Sequence, residues 1–417
     1  MSTLLTLHDP QVARRYYSEG HWQSDTLYAR VRHHATVRPD AYALRDARRR
    51  LTWSQLAQWV DVVAADLHAA GLTGGQRVSV WLPNCVEAVI VMLACSRNGY
   101  VCNPSLHQNY TTHDIIALVE RIQSAALFAQ PGYGADANVS DVFTAARALP
   151  AMKRVYSLAA ASGAQSIAEG VCGFPSLEHA ADGTLAPIDD NPDKIVYLAF
   201  TSGTTGTPKG VMHSDNTLLA NGRAMVRDWH HTDRTVLFSH SPMSHHIGTV
   251  ALEQSLVAGF ELVVNDLAPG MKPLDWILEA GATYVMGVPT HAMDILADMK
   301  RRGLTRLGCV EVFYMAGSTI PPETARAFLD MGVKPQNVYG MTENGSHQYT
   351  LPHDDAATIT STCGKACTGY ETRLWDAEYP DREVASGEIG EIGTRGALLT
   401  LGYFDNQSAT ESAFNAH

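Results

Sequence analysis

The sequence alternates short apolar runs with segments of helical periodicity, and this alternation restricts the fold more than any other feature. After residue 76 the run R-V-S-V-W-L precedes V-E-A-V-I-V-M-L-A-C, an apolar segment of helical length. The alternation restarts with I-V-Y-L-A-F at 195–200 and continues through T-V-L-F-S-H, E-L-V-V-N, T-Y-V-M-G-V and C-V-E-V-F-Y-M. Strands separated by helices predict an α/β fold with mostly parallel sheets and helices on their faces.

The length and the spacing of breakers predict several subdomains. A chain of 417 residues exceeds one ordinary core. Residues 180–194 are rich in Asp, Pro and Gly and lack an apolar period, which indicates a boundary. From about 355 onward, short glycine-rich segments such as Y-E-T-R-L-W-D indicate a small β-rich piece. We predict α/β subdomains at 1–185 and 186–354 and a barrel-like β-rich subdomain at 355–417, which together form one large domain.

Composition excludes some partners and suggests a location. A formal net charge of −12 disfavours binding to a nucleic-acid backbone. The longest apolar run contains a glutamate and is far short of the roughly 20 residues of a membrane span. Seven scattered cysteines in mostly apolar surroundings, with no signal-peptide pattern at the N-terminus, predict reduced thiols and a cytoplasmic location.

The stretch F-T-S-G-T-T-G-T-P-K-G at 200–210 follows a buried strand and predicts a phosphate-binding loop. Glycines let consecutive backbone N–H groups curl around an anion, hydroxyl groups add donors, and a lysine adds positive charge. The Walker pattern fails because Pro208 precedes the lysine, so we expect a strand–loop–strand hairpin. The phosphate-binding candidates are Thr201, Ser202, Gly203, Thr204, Thr205, Gly206 and Lys209.

This loop and four later segments resemble, in order, the signatures of the adenylate-forming superfamily, which includes acyl-CoA synthetases. The later segments are S-P-M-S-H-H-I-G at 241–248, M-A-G-S-T-I-P at 315–321, Y-G-M-T-E at 339–343 and the glycine-rich stretch 387–406. Ser318 and Thr319 replace the family's commoner Ala-Pro. The resemblance covers nearly the whole chain and implies the large N-terminal domain of such an enzyme.

The resemblance assigns roles residue by residue. It implies that Lys209, Thr342, Glu343 and His245 act in catalysis and that Glu343 binds Mg²⁺, an assignment that suits a hard oxygen ligand. It also implies that the nucleotide contacts Gly317, Ser318, Thr319, Tyr339, Gly340, Met341 and Thr342. The acid would contact His245, His246, Val288, Gly317 and Gly340. From the residues alone, either histidine could be a satisfied core residue.

The function implied is an AMP-forming carboxylic acid–CoA ligase that uses ATP, Mg²⁺ and CoA. The pocket motifs resemble those of ligases for alicyclic acids such as cyclohexanecarboxylate, with medium-chain and aryl acids open. An amino acid is disfavoured because no Asp is found to hold an α-amino group. Two alternatives stay open: an acyl-AMP ligase that loads a carrier protein, and a non-catalytic nucleotide-binding module. Oligomers are possible.

The last residues, E-S-A-F-N-A-H, fall where the family would begin a Gly-Trp-x-x-Thr-Gly-Asp segment. The resemblance places that segment, the hinge and a small C-terminal domain with a catalytic lysine beyond the final histidine of the sequence. We therefore expect these 417 residues to bind nucleotide or acid weakly and to form little adenylate by themselves.

Overall fold

A computed structural model describes residues 5–159, 168–178, 184–201 and 208–415. The strands are β1 (Tyr42–Arg45), β2 (Arg50–Thr52), β3 (Arg77–Trp81), β4 (Val101–Asn103), β5 (Ser124–Ala129), β6 (Arg154–Ser157), β7 (Cys172–Gly173), β8 (Ile195–Thr201), β9 (Lys209–Ser214), β10 (Val236–Ser239), β11 (Glu261–Val264), β12 (Tyr284–Gly287), β13 (Val312–Met315), β14 (Lys334–Met341), β15 (Gly345–Tyr349), β16 (Lys365–Ala366), β17 (Tyr370–Trp375) and β18 (Glu391–Gly396).

The helices are α1 (Pro10–Ser18), α2 (Leu27–Val37), α3 (Trp53–Ala69), α4 (Val86–Asn98), α5 (Thr112–Arg121), α6 (Val142–Arg147), α7 (Asp215–Trp229), α8 (His246–Ala258), α9 (Pro273–Ala280), α10 (Pro289–Arg301), α11 (Pro322–Asp330), α12 (Ala356–Ser361) and α13 (Gln407–Ser412).

Two large sheets carry the fold. One has nine strands in the order β16-β15-β14-β13-β12-β10-β11-β1-β2, and the other has seven in the order β7-β6-β5-β3-β4-β8-β9. Neighbours from β14 to β1 in the first sheet and from β7 to β8 in the second run parallel. Strands β2, β15, β16 and β9 add antiparallel edges. The α/β fold with mostly parallel sheets is confirmed.

The two sheets exchange strands across the predicted boundary at residue 185. Strands β1 and β2 come from the N-terminal part of the chain but join β10–β16, while β8 and β9 follow the boundary and join β3–β7. Sheet membership therefore does not divide the chain at 185, and the three-subdomain division stays a prediction. The small antiparallel sheet predicted beyond 355 is present as β17 paired with β18; within the described residues it has two strands and does not close into a barrel-like form.

Helices α3 and α4 show how the sequence produces its buried layers. Thr52 and Gln55 form a capping box that fixes the start of α3. Every residue of α4 is buried, as expected for a helix that is apolar on most of its circumference. Its one acidic side chain, Glu87, is fully buried and is held by Arg48 and Arg49 at 3.4 and 2.5 Å. The charge is tolerated in the core because it is paired.

The seven cysteines are all free thiols. In the part of the chain that the structure describes, no helix is both long enough and apolar enough to cross a bilayer.

Candidate active site

The predicted acid-site and nucleotide-site residues on the nine-stranded sheet follow the carboxyl ends of neighbouring parallel strands. Val288 follows β12, Gly317 follows β13, Gly340 lies near the end of β14, and His240, which was not predicted, follows the neighbouring β10. These strands are adjacent in the sheet, so their following loops meet at one edge, where ligands commonly bind in α/β folds. A Cβ placed on Gly317 would lie 3.6 Å from Cγ1 of Val288. The structure thus brings these two predicted residues together.

The segment 317–319 is exposed at this edge. Gly317 has a φ of +89°, a backbone conformation that glycine adopts without strain. The turn leaves the Ser318 and Thr319 side chains in solvent. A ligand can therefore approach the backbone of this turn, as the sequence predicts for the nucleotide.

The hairpin between β14 and β15 holds Tyr339, Met341, Thr342 and Glu343. Gly340 cannot carry a side chain here, since a Cβ would lie 1.9 Å from a backbone carbonyl oxygen across the hairpin. Tyr339 is half-buried, with its ring edge-on to His347 at a centroid distance of 5.3 Å. Met341 is exposed. The hairpin therefore places a half-buried aromatic ring, that of Tyr339, next to Gly340, where the two strands are too close for any side chain.

Thr342 is tied to the seven-stranded sheet through a buried histidine. Its carbonyl oxygen accepts a hydrogen bond from Nε2 of His213 at 2.7 Å, and the other ring nitrogen lies 3.0 Å from Oγ1 of Thr217. Burial lowers the pKa of His213 to about 4, so the ring is neutral and Nε2 carries the proton that it donates. His213 was not predicted; in the sequence it follows the apolar pair Val211 and Met212 and carries no sign of its contact with Thr342.

Lys209 and Glu343 meet through Tyr403. The Tyr403 hydroxyl donates to Oε1 of Glu343 at 2.9 Å, and the Lys209 Nζ lies 5.1 Å from the centroid of the same ring. Residues 400–404 reach this position by hydrogen bonding along β9, while the N–H of Thr400 donates to the Glu343 carbonyl oxygen at 2.7 Å. The predicted cation and the predicted metal ligand therefore contact the same tyrosine, one over its ring and the other at its hydroxyl group. Sequence reasoning missed Tyr403.

Lys209 begins β9 directly opposite Thr201, the last residue of β8. The predicted strand–loop–strand hairpin is confirmed by this antiparallel register. Five predicted phosphate-binding residues lie outside the described residues: Ser202, Gly203, Thr204, Thr205 and Gly206. The two strands place both ends of the loop at the carboxyl edge of the seven-stranded sheet.

His245 and His246 stand at the start of α8, one as the N-cap and the other as the first helical residue. The exposed His245 ring stacks on His107 with centroids 4.3 Å apart. His246 Nδ1 lies 3.2 Å from the hydroxyl of Tyr197, and burial lowers the pKa of His246 to about 3. The first N–H groups of a helix lack helical partners and favour anions. This helix end thus combines neutral imidazoles with the positive end of a helix dipole.

Two further histidines line this edge and were not predicted. His107 follows β4 of the seven-stranded sheet, and burial lowers its pKa to about 4. His240 stacks on His291 with centroids 4.6 Å apart, and burial lowers its pKa to about 3. Since His107 comes from one sheet and His245 from the helix after the other sheet's β10, their stack joins the two sheets. A scattered set of histidines in the sequence gave no sign of this pairing.

Among the described residues, one carboxylate at this site was predicted to bind Mg²⁺. Glu343 offers a half-buried oxygen pair, of which the Tyr403 hydroxyl engages one oxygen. Among the described residues no three His, Cys, Asp or Glu side chains are grouped to hold a metal ion by themselves. Magnesium usually binds one or two protein carboxylates together with substrate phosphates. The residues present fit that mode of binding.

A cavity of about 650 Å³ lies elsewhere, at the carboxyl ends of β3, β5 and β6. Its walls include Trp59, Trp81 and Tyr133, with the Arg49–Glu87 pair at one side. None of the predicted site residues that the structure describes lines it. The cavity therefore does not decide where the nucleotide binds.

Comparison with known proteins supports these assignments of fold and class. The model of the AMP-binding enzyme family matches residues 31–404, so this chain belongs to the AMP-binding enzyme family. The chain is 26% identical over its whole length to 72% of the medium-chain fatty-acid–CoA ligase of Escherichia coli. It is 28% identical, over 97% of its length, to 73% of the 2-hydroxy-7-methoxy-5-methyl-1-naphthoate–CoA ligase of Streptomyces carzinostaticus.

Solved structures show the same architecture. ATP-bound MatB from Rhodopseudomonas palustris superposes with a TM-score of 0.79 at 27% identity, over 94% of this chain and 74% of the MatB chain. The resemblance to the adenylate-forming superfamily is thereby confirmed. The roles of the individual site residues stay predictions.

Proposed function

We propose that this protein is an AMP-forming carboxylic acid–CoA ligase. The observation that carries the proposal is the arrangement around Tyr403, in which Lys209, the residue that begins β9, lies over the ring and Glu343 accepts a hydrogen bond from the hydroxyl group. A cation at one end of the predicted phosphate loop, and a carboxylate that contacts the same tyrosine, suit a bound nucleoside triphosphate and its Mg²⁺. The CoA-ligase names of the relatives from E. coli and S. carzinostaticus support the same reaction.

The first step joins acid and nucleotide. A carboxylate oxygen of the acid attacks the α-phosphorus of ATP, the bond to the β-phosphate oxygen breaks, and pyrophosphate leaves to give an acyl-AMP. Lys209, with the predicted loop, would hold the phosphates, and Thr342 would lie near the α-phosphate. Bound Mg²⁺ would neutralise charge on the phosphate oxygens, with Glu343 as its protein ligand.

The second step transfers the acyl group. The thiolate sulfur of CoA attacks the acyl carbon, the bond to the phosphate oxygen breaks, and AMP leaves. His245 and His246, at the open N-terminus of α8, would orient the acid carboxylate before the first step. Their lowered pKa keeps these imidazoles neutral, so they direct the acid without forming a permanent ion pair with it.

We propose that the acid is medium-chain, alicyclic or aryl. The naphthoate and medium-chain fatty acid in the names of the two relatives support this range. We also propose a cytoplasmic location, which the seven free thiols support.

The test combines ATP–pyrophosphate exchange with detection of acyl-AMP and acyl-CoA by mass spectrometry across a panel of such acids. The full-length enzyme should support exchange, and Lys209→Ala and Glu343→Gln in it should each lower exchange at least about 100-fold, as loss of a transition-state contact does. Lys300→Ala changes an exposed lysine on α10 and serves as the matched control with unchanged exchange. ATP binding without exchange would favour the non-catalytic alternative, and acyl-AMP that passes to a carrier protein but not to CoA would favour the second alternative.

A further inference from the structure

The cavity of about 650 Å³ lies at a switch point of the seven-stranded sheet. Strands β3 and β5 are neighbours, yet the chain leaves β3 through α4 toward β4 on one side and leaves β5 through α6 toward β6 on the other. Connections that leave in opposite directions open a crevice outside the carboxyl ends of the two strands, where open α/β sheets commonly bind ligands. Trp81, the last residue of β3, and Gln130, the first residue after β5, both line the cavity.

Aromatic rings form much of the cavity wall. The ring of Trp81 is edge-on to that of Tyr133 at a centroid distance of 5.9 Å, and the ring of Trp59 is edge-on to that of Phe174 at 6.1 Å. Each indole N–H group donates to a backbone carbonyl oxygen, at 3.1 Å for Trp81 and 2.7 Å for Trp59. The two indoles are therefore held in fixed orientations, and fixed aromatic surfaces favour a flat, largely apolar ligand.

The charged side chains among the described lining residues are already engaged. They are Arg49, Glu87 and Asp141. Arg49 donates to Oε1 of Glu87 at 2.5 Å, so these two charges compensate each other. Asp141 is the N-cap of α6 and accepts a hydrogen bond from the backbone N–H of Phe143 at 2.9 Å. An ionic ligand would lose its hydration without gaining a free counter-charge, and an uncharged ligand is therefore favoured.

Two neutral hydroxyl groups of the wall are open to a ligand. Tyr133 and Ser157 are half-buried and line the cavity. Within the described part of the chain, neither hydroxyl group has a hydrogen-bond partner. Burial raises the pKa of Tyr133 to about 12, so its phenol stays protonated and can donate at neutral pH. Such groups suit a hydroxyl or carbonyl substituent on the ligand.

One wall of the cavity is connected to the candidate active site. The indole N–H of Trp81 donates to the carbonyl oxygen of His107, and the His107 ring stacks on His245 with centroids 4.3 Å apart. His245 is the N-cap of α8, where the acid carboxylate is predicted to lie. A ligand that packs against Trp81 would restrict the indole and the segment around His107. Acid binding beside His245 would then have less ordering to impose.

We propose that this cavity is a second ligand site that takes a neutral, planar aromatic molecule with a hydrogen-bonding substituent, and that its occupation tightens acid binding through Trp81, His107 and His245. The volume lies within the range of about 300–1,000 Å³ that is usual for small-molecule sites. The ligand site itself does not depend on the proposed function, whereas its link to the acid does. Coupling between two sites is reciprocal, so the acid should tighten binding of the aromatic molecule by the same factor.

The test titrates 2-naphthol into the protein and follows its fluorescence and the heat of binding. This molecule is planar, neutral and hydroxylated, and it lacks the carboxylate that adenylation requires. Ser157→Phe places a ring in the cavity and should weaken binding at least about 10-fold, whereas Ser361→Phe, which changes an exposed serine at the end of α12, should not. Tyr133→Phe removes only a hydroxyl group and should weaken binding about 2- to 10-fold.

Octanoate, an acid without an aromatic ring, tests the link to the candidate active site. Saturating 2-naphthol should tighten octanoate binding at least about 5-fold. In NMR spectra of protein with isotope-labelled histidine, 2-naphthol should shift the imidazole resonances of His107 and His245. Unchanged resonances together with unchanged octanoate affinity would overturn the link.

Three results would overturn the ligand site. They are a failure of 2-naphthol to bind, displacement of 2-naphthol by octanoate, and binding that Ser157→Phe and Tyr133→Phe both leave unchanged. Thermal unfolding checks that each variant is folded, and Tyr133→Phe alone decides the question if Ser157→Phe does not fold. If the full-length enzyme forms no acyl-AMP, the proposed function fails, and 2-naphthol binding and the histidine resonances still decide this inference.

Discussion

Replacing Tyr403 with phenylalanine removes the hydroxyl group that links its ring, which lies under Lys209, to the predicted metal ligand Glu343. That hydroxyl donates to Oε1 of Glu343 at 2.9 Å, and the ring beneath it lies 5.1 Å from Nζ of Lys209. Phenylalanine keeps the ring, so the cation–π contact persists and only the hydrogen bond is lost. The substitution therefore perturbs the orientation of the Glu343 carboxylate alone.

The magnitude follows from the burial of the two groups. Burial, and after it the Glu343 carboxylate, raises the pKa of Tyr403, so the phenol remains a donor at neutral pH. Hydrogen bonds to charged groups contribute about 1.5–3 kcal/mol, and water can replace part of this bond because Glu343 is only half-buried. We expect Tyr403→Phe to lower the free energy of unfolding by about 1 kcal/mol. Loss of a group that orients a metal ligand should weaken Mg²⁺ binding about 10-fold.

Calorimetric titration of ATP with and without Mg²⁺ measures the second effect. Tyr403→Phe should bind metal-free ATP within about 2-fold of the original protein and lose most of the Mg²⁺-dependent gain, as expected for a perturbed metal ligand. Tyr379→Phe alters a tyrosine that is 59% exposed and is the matched control. A double-mutant cycle with Glu343→Gln should give a coupling of about 1 kcal/mol in urea unfolding.

Two results would refute this reasoning. The first is a coupling below about 0.3 kcal/mol, which is the scatter of independent sites. The second is an equal loss of ATP affinity with and without the metal.

Three further outcomes are expected. Gly340→Ala should destabilise the protein by at least about 3 kcal/mol because its Cβ would lie 1.9 Å from a carbonyl oxygen. Gly74→Ala is the control, since its Cβ would lie 3.8 Å from the nearest atom and should not destabilise the protein. Equal Tm values for the two variants would contradict the packing of the β14–β15 hairpin. Burial lowers the pKa of His240 to about 3, so below pH 6.5 the imidazole binds a proton in the unfolded chain while it stays neutral in the folded protein. The contribution of His240 to the free energy of unfolding should therefore be full above pH 6.5 and fall toward pH 4 by at most about 1.4 kcal/mol per pH unit. Urea unfolding over this pH range measures it, and the same dependence of stability on pH in His240→Asn and in the original protein would argue against it. His107→Ala removes the ring stacked on His245 and should weaken acid binding about 2- to 10-fold with ATP binding unchanged, and unaltered acid affinity would show that the stack does not orient His245.

Much of the candidate site could be found from the sequence because its residues fall in continuous motifs. Val288 and Gly317 were assigned to the acid site separately, and parallel neighbours β12 and β13 place them in contact. The flanking strands of the loop were also predicted, and Thr201 and Lys209 are paired across the hairpin. Local motifs predict these positions because each motif indicates a backbone conformation or the end of a strand, and both depend on residues that are close in the sequence.

The residues that sequence reasoning missed share a different property. Tyr403 meets Glu343 across 60 positions of the chain, and His213 meets Thr342 across 129. The residues next to a tyrosine or a histidine in an apolar segment do not indicate which distant residue that side chain will contact. Such contacts depend on which strands become neighbours, and periodicity does not report this.

The sequence by itself determined the α/β class, the order of strands and helices, and the loop that identifies the family, because side-chain periodicity and glycine placement act over a few residues. Only the tertiary structure decided that β1 and β2 join the later sheet while β8 and β9 join the earlier one. It also decided that Tyr403 contacts both Lys209 and Glu343 and that Trp81 donates a hydrogen bond to the carbonyl oxygen of His107. The physical reason is that apolar patterning specifies which face of an element is buried, whereas the neighbour that covers this face is chosen by packing of the whole chain.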